Sequence, residues 1–212
     1  MIRMTKTSAR AGVALGAVAA TTLLSAGPAN AEIFGLLNGR SAAPPTWQTA
    51  VEAGAEFSDD VLQLAVRGNY ALNPTLTAFA NLGFIDFDDG GDGFQIGGGA
   101  FLHLTEQRVV PNLDVAIKPS VGFADVDGGN VLTLAGEALV SGREPLGGGS
   151  LGWYANVGLG LFRADPDNGS SDTDLEPILG GGITLPVGTG TFYAGIDFID
   201  EIGIGAGFRV GL

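Results

Sequence analysis

Cysteine is absent from the 212 residues, so no disulfide can staple the fold, which must rest on backbone pairing and side-chain burial. Histidine occurs once, as His103. That scarcity leaves little material for a histidine-based metal site or a catalytic triad, and no His-Glu-x-x-His motif is present. Basic residues are also few, ten against 23 acidic ones. A surface so short of positive charge excludes nucleic acid as a partner, because phosphate binding needs clustered Lys and Arg. Finally, no apolar run after Ala31 approaches the roughly 18 residues a membrane-spanning helix requires. A chain of this composition that crosses a bilayer must do so as a closed barrel, the other architecture that satisfies every backbone group in lipid.

What is present begins with an export pattern. Arg3, Lys6 and Arg10 precede an apolar stretch from Ala11 to Leu24, and Ala29-Asn30-Ala31 supplies the small-x-small signature of a signal-peptidase site. Residues 1–31 are therefore read as a signal peptide. Their removal takes away three of the ten basic residues and none of the 23 acidic ones, which leaves seven against 23 and a formal charge of −16. Residues 32–45 form a lead-in segment ending in Ala-Ala-Pro-Pro, and residues 46–212 form one domain.

That domain is a ladder of short apolar stretches at regular spacing, the signal of an all-β protein. Ten strands are expected, at about 46–57, 61–72, 76–86, 93–104, 112–124, 131–141, 151–164, 175–185, 190–199 and 202–212. Period-2 alternation is cleanest in the second, with Leu62, Leu64, Val66, Tyr70 and Leu72 on one face and Gln63, Arg67 and Asn69 on the other. The fourth sets Phe94, Ile96, Ala100 and Leu102 against Gln95 and His103, although Phe101 breaks the polar side. The fifth sets Leu113, Val115, Ile117, Val121 and Phe123 against Asp114, Lys118 and Ser120, and the last sets Ile202, Ile204, Phe208 and Val210 against Arg209 and a column of glycines. Strands eight and nine do not declare their faces. Pro119 lacks a ladder donor, which implies a bulge or a strand end near it.

The polar face carries Glu52, Glu56, Arg67, Asp114, Lys118, Glu137 and Arg209. Charges of both signs on an enclosed surface point to a salt-bridged interior, since an unpaired buried charge is expensive. Glu52, Arg67, Asp114, Lys118, Glu137 and Arg209 are the candidates for that lumen network. Glycines on the same face, Gly97, Gly99, Gly158, Gly160, Gly203, Gly205 and Gly207 among them, relieve crowding inside a narrow barrel. His103 reads as a lumen histidine with a satisfied hydrogen bond, since Glu106, the nearest carboxylate in sequence, has the wrong strand parity to orient it.

The connections divide by chemistry. Those after odd strands hold fourteen acidic residues and no Lys or Arg, whereas those after even strands hold two of each sign. Alternate turns of an up-and-down sheet lie at opposite ends, so one end of the barrel is acidic, and with an even strand count both termini lie at the other. Asp86, Asp88, Asp89 and Asp92, and again Asp165 and Asp167, place hard oxygens on glycine-rich loops of a kind that suits Ca²⁺ or Mg²⁺. The spacing does not match an EF-hand, and Asp-Gly and Asn-Gly are also ordinary hairpin turns. A looser expectation is an acidic rim that shares divalent cations with lipopolysaccharide phosphates. No cofactor is expected, and the sequence leaves the oligomeric state open.

The signal peptide, the strand-turn-strand Asn69-Tyr70-Ala71-Leu72-Asn73-Pro74-Thr75-Leu76-Thr77, and the Asp/Gly loop entering Phe94-Gln95-Ile96-Gly97-Gly98-Gly99-Ala100 together resemble the small outer-membrane β-barrel proteins of Gram-negative bacteria, the group of the OmpA transmembrane domain, the opacity-type proteins and the YfaZ-like barrels. The resemblance implies an antiparallel transmembrane barrel, outer-membrane location, contact with lipid and lipopolysaccharide, and a structural or surface-interaction role without enzymatic activity. Members of that group generally end in an aromatic residue, where this chain ends in Leu212. The alternatives are a narrow channel for small solutes or cations drawn by the acidic mouth, and a soluble periplasmic barrel that turns its apolar face inward around a ligand.

Overall fold

A computed structural model describes residues 42–58, 61–87, 91–104, 113–146, 149–199 and 201–212. The signal peptide and most of the lead-in lie outside these residues. Ten strands follow in order: β1 (Thr49–Ser58), β2 (Val61–Asn73), β3 (Leu76–Phe87), β4 (Asp92–His103), β5 (Leu113–Val126), β6 (Gly129–Leu146), β7 (Gly149–Pro166), β8 (Asp172–Val187), β9 (Gly190–Ile199) and β10 (Glu201–Gly211). Each pairs antiparallel with its sequence neighbours, and β1 pairs with β10 from Ala50↔Gly211 to Phe57↔Ile204, so the sheet closes on itself. Closure removes the edges that an open sheet would expose. The fold is the expected ten-stranded up-and-down barrel.

The longest strands depart from the sequence expectation. The region Ser141 to Ser150 has loop-like composition, yet Ser141↔Tyr154, Gly142↔Trp153, Arg143↔Gly152 and Glu144↔Leu151 continue the β6·β7 ladder to Leu146↔Gly149. Backbone pairing overrides the weak β-propensity of Gly, Arg, Glu and Pro here, because each residue gains a partner on an already aligned strand. Likewise Asp172 and Asp174 belong to β8 and pair with Ala164 and Phe162.

Pro119 neither ends β5 nor shifts its register. It pairs with Gly136 in β6, and on its other side the β4 register is the same before and after it, at Gly99↔Ser120 and Leu102↔Ile117. The two intervening positions are unpaired. The missing N–H thus interrupts the ladder locally, and the neighbouring bonds hold the alignment. Turn chemistry is more conventional. Asp127-Gly128 joins β5 to β6 with Gly128 at φ 98°, a left-handed conformation that suits glycine. At the other end the Asn73 side chain accepts from the Thr75 amide at 2.9 Å and from its hydroxyl at 2.8 Å, which fixes the β2–β3 turn.

The faces are inverted relative to a soluble barrel. Phe94 and Ile96 are 70% and 62% exposed, and Leu82, Val157, Leu159, Leu175, Ile196, Ile202 and Ile204 stand on the same outer surface. Leu62, Val115 and Phe208, whose burial together with Ile96 would mark a soluble ligand carrier, take the same outward parity. Inside, Glu52, Arg67, Lys118 and Glu137 are buried. Tyr70 and Trp153 stand on the outside near the neutral end, and Phe57 and Phe94 near the acidic end, in the manner of interfacial girdles.

Inward side chains fall into layers. Toward the acidic end Ile85, Ala124 and Val131 form one apolar cluster and Phe162, Ile178 and Ile199 another. Toward the neutral end Phe79, Phe101, Ala116 and Leu139 pack around Ala42. The polar network lies between. Phe101, which interrupts the polar pattern of β4, is thus a packing residue of the neutral-end layer.

Candidate functional site

Lys118 on β5 and Glu137 on β6 occupy one register pair and form an ion pair at the centre of the lumen. The second carboxylate oxygen of Glu137 accepts from Asn156 Nδ2 at 2.9 Å, so the anion is held from two strands. Glu52 forms a second centre. It faces Arg67 at 3.9 Å and Arg209 at 3.8 Å, and accepts from Asn69 Nδ2 at 2.9 Å. Arg67 also lies over the Phe79 ring, 4.9 Å from its centroid, and Arg209 over Trp47 at 5.9 Å. Five of the six residues expected in the network thus fall into these two clusters. The sixth, Asp114, faces inward on β5 and is half-buried.

Sequence reasoning missed Asp197, Tyr154 and Tyr193, all buried in the same interior. Asp197 and Tyr193 lie on β9, where Phe192, Ile196 and Phe198 on one face and Tyr193 and Ile199 on the other leave no visible polar side. The glycines explain how such bulk fits. A Cβ on Gly207 would collide with the Tyr193 hydroxyl and one on Gly99 with the Phe79 ring, so both side chains lie across bare backbone.

His103 binds the chain's own N-terminal segment. Its Nδ1 lies 2.9 Å from the Ala42 carbonyl and its Nε2 3.0 Å from the Thr77 hydroxyl. A carbonyl only accepts, so Nδ1 carries the proton and, in the neutral ring, Nε2 accepts from Thr77. The Ala42 amide donates to Ser141 Oγ at 2.7 Å, and Ala42 is completely buried. The sequence Gly148-Gly149-Ser150-Leu151-Gly152 has the spacing of a nucleophile elbow. Ser150, however, lies in β7 paired with Pro145, in a hairpin rather than the strand-turn-helix that exposes such a serine.

At the acidic end Asp92, Asp125, Asp127, Asp167 and Asp172 are exposed, and Asp165 is paired with Arg163 at 3.1 Å. Asp86 pairs with Asp92 across the β3·β4 ladder. Asp88 and Asp89 lie outside the described residues. Among the described residues no three acidic or histidine side chains converge as metal ligands.

No protein-family model matches the chain, and no curated protein sequence does. Among solved structures, the chain is similar to LpxR from Salmonella typhimurium at 10% identity and a TM-score of 0.43, with 72% of this chain and 73% of that one covered. A KdgM porin is similar at 8% identity and a TM-score of 0.39, over 77% of this chain and 99% of the porin. A bacterial polysaccharide outer membrane secretin is similar at 11% identity and a TM-score of 0.44 over 72% of this chain, which spans 57% of the secretin's length.

Proposed function

We propose that this protein is an outer-membrane barrel with a lumen filled by its own side chains, and that it serves the cell envelope in a structural or surface-interaction role. The observation that carries the reading is the inversion of the two faces: a continuous apolar exterior around buried Glu52, Arg67, Lys118 and Glu137. In water such an exterior is an aggregation surface, and in hydrocarbon it is the solvated face. The apolar layers above and below the charged network, with Ala42 seated in the lower one, support a closed interior. A narrow cation channel is the rival reading, favoured by the exposed aspartates of the acidic end and opposed by the Ile85 and Phe162 clusters beneath them.

Two measurements test the proposal. Outer membranes run on a denaturing gel with and without boiling should show a faster band in the unboiled sample, because a closed barrel resists the detergent. Purified protein in planar bilayers should stay silent across pH and salt. Discrete cation-selective steps from the intact chain would replace the structural reading with the channel, and a protein soluble without detergent would end both.

A further inference from the structure

The neutral end of the barrel holds two adjoining cavities, of about 440 and about 90 Å³. They share Arg143, Thr191 and Arg209. The smaller is also bordered by Ser150 and Thr184, so its described polar side chains are guanidiniums and hydroxyls, with Trp153 at its edge. The larger adds Trp47, Thr77 and His103. Among the described residues no Asp or Glu borders either space. Of the described inward carboxylates toward this end, Asp114 is paired in register with Ser141 and borders neither space, and Glu52 is engaged with Arg209 and Asn69. Arg209 is thereby fixed in position between Glu52 and the face of Trp47. Arg143 is exposed, and among the described residues it makes no ion pair.

The charge along the barrel has a direction. Arg143 and Arg209 lie near the neutral mouth, while Glu56 and Asp197 face inward closer to the acidic end. A low-dielectric wall focuses such a separation, so the neutral mouth attracts anions even though the whole molecule is negative. Guanidinium groups match carboxylate and phosphoryl oxygens two at a time, and hydroxyl donors complete the shell of an oxyanion.

We propose that this mouth binds a small solute bearing a phosphoryl or carboxylate group. The oxyanion seats between Arg143 and Arg209 in the smaller cavity, and the body of the solute occupies the larger one against Trp47. This site is independent of whether the lumen beyond it conducts.

Trp47 and Trp153 are the only two tryptophans of the chain; Trp47 borders the larger cavity, so a Trp153→Phe background lets intrinsic fluorescence report on occupancy through Trp47. Full-length mature protein, folded in non-ionic detergent, is titrated with inorganic phosphate and separately with citrate, and sodium chloride holds ionic strength constant. We expect a saturable change in emission with at least one of the two, matched by calorimetry. Phosphate alone identifies a phosphoryl site, and citrate alone a carboxylate site. Arg143→Gln should weaken the midpoint by about tenfold or more, the loss expected for a charged hydrogen-bonding partner, and Arg143→Lys should fall between. The heat-modified gel shift confirms that each variant is folded. The proposal is overturned if neither anion exceeds the chloride baseline, or if wild type and Arg143→Gln titrate alike. It is equally overturned if only phosphatidylglycerol in mixed micelles gives saturation, since the mouth would then recognise lipid headgroups rather than a solute.

Discussion

Lys118 and Glu137 are about as thoroughly enclosed as any charged groups in the molecule, and each depends on the other. Removing one partner takes away the shortest ion pair of a buried charge, whereas replacing both removes the desolvation cost along with the attraction. Glu137→Gln should therefore destabilise the folded barrel by about 3–5 kcal/mol, while Lys118→Met combined with Glu137→Leu should recover most of that loss. Urea unfolding in phospholipid vesicles checks the pair. Equal destabilisation by the single and double variants would show that the cost does not come from breaking this pair. Asn156 belongs to the same unit, because its amide holds the second oxygen of Glu137.

At the scale of the strand, legibility followed contrast between the two faces. β2 and β5 carry Arg67 and Lys118 opposite predominantly apolar rows, and their orientation was readable because charge in the body of each strand appears on one side only. β9 gave no such contrast. Tyr193 and Ile199 point inward among glycines, so Asp197 could be placed only once its register with Gly180 and Gly203 was known. The paired extension of β6 and β7 was hidden for another reason: Gly142, Arg143, Glu144 and Pro145 have poor intrinsic preference for a strand and acquire it from the partner. The segment at Ala42 was equally invisible, because its hydrogen bonds reach His103 and Ser141, far away in sequence. The layers make a further prediction. Replacing residues 42–47 with a Gly/Ser stretch should leave planar bilayers silent, since the Ile85 and Phe162 clusters still obstruct the acidic end. The same replacement with Ile85→Ala, Phe162→Ala, Phe79→Ala and Phe101→Ala, which opens both apolar layers, should conduct. Conductance from the first variant alone would show that the outer layer does not seal.

For the molecule as a whole, the exterior decides where it can reside. Leu82 and Ile96 pair near the middle of β3 and β4 and rank among its most exposed apolar residues. Ile96→Arg should cost about 2–4 kcal/mol in vesicles, the penalty for a guanidinium near the bilayer midplane, and the same change at a loop should cost almost nothing. Unfolding midpoints of the two variants decide the matter, and parity between them would remove the lipid-facing assignment. The seam between β1 and β10 also bears on biogenesis. It joins the first strand of the barrel to the last, so the sheet cannot close until β10 has been delivered to the edge of β1. A barrel without β10 keeps two raw margins and an unenclosed set of charges, so the eleven residues of β10 decide at once whether the sheet has an edge and whether its interior ions meet water.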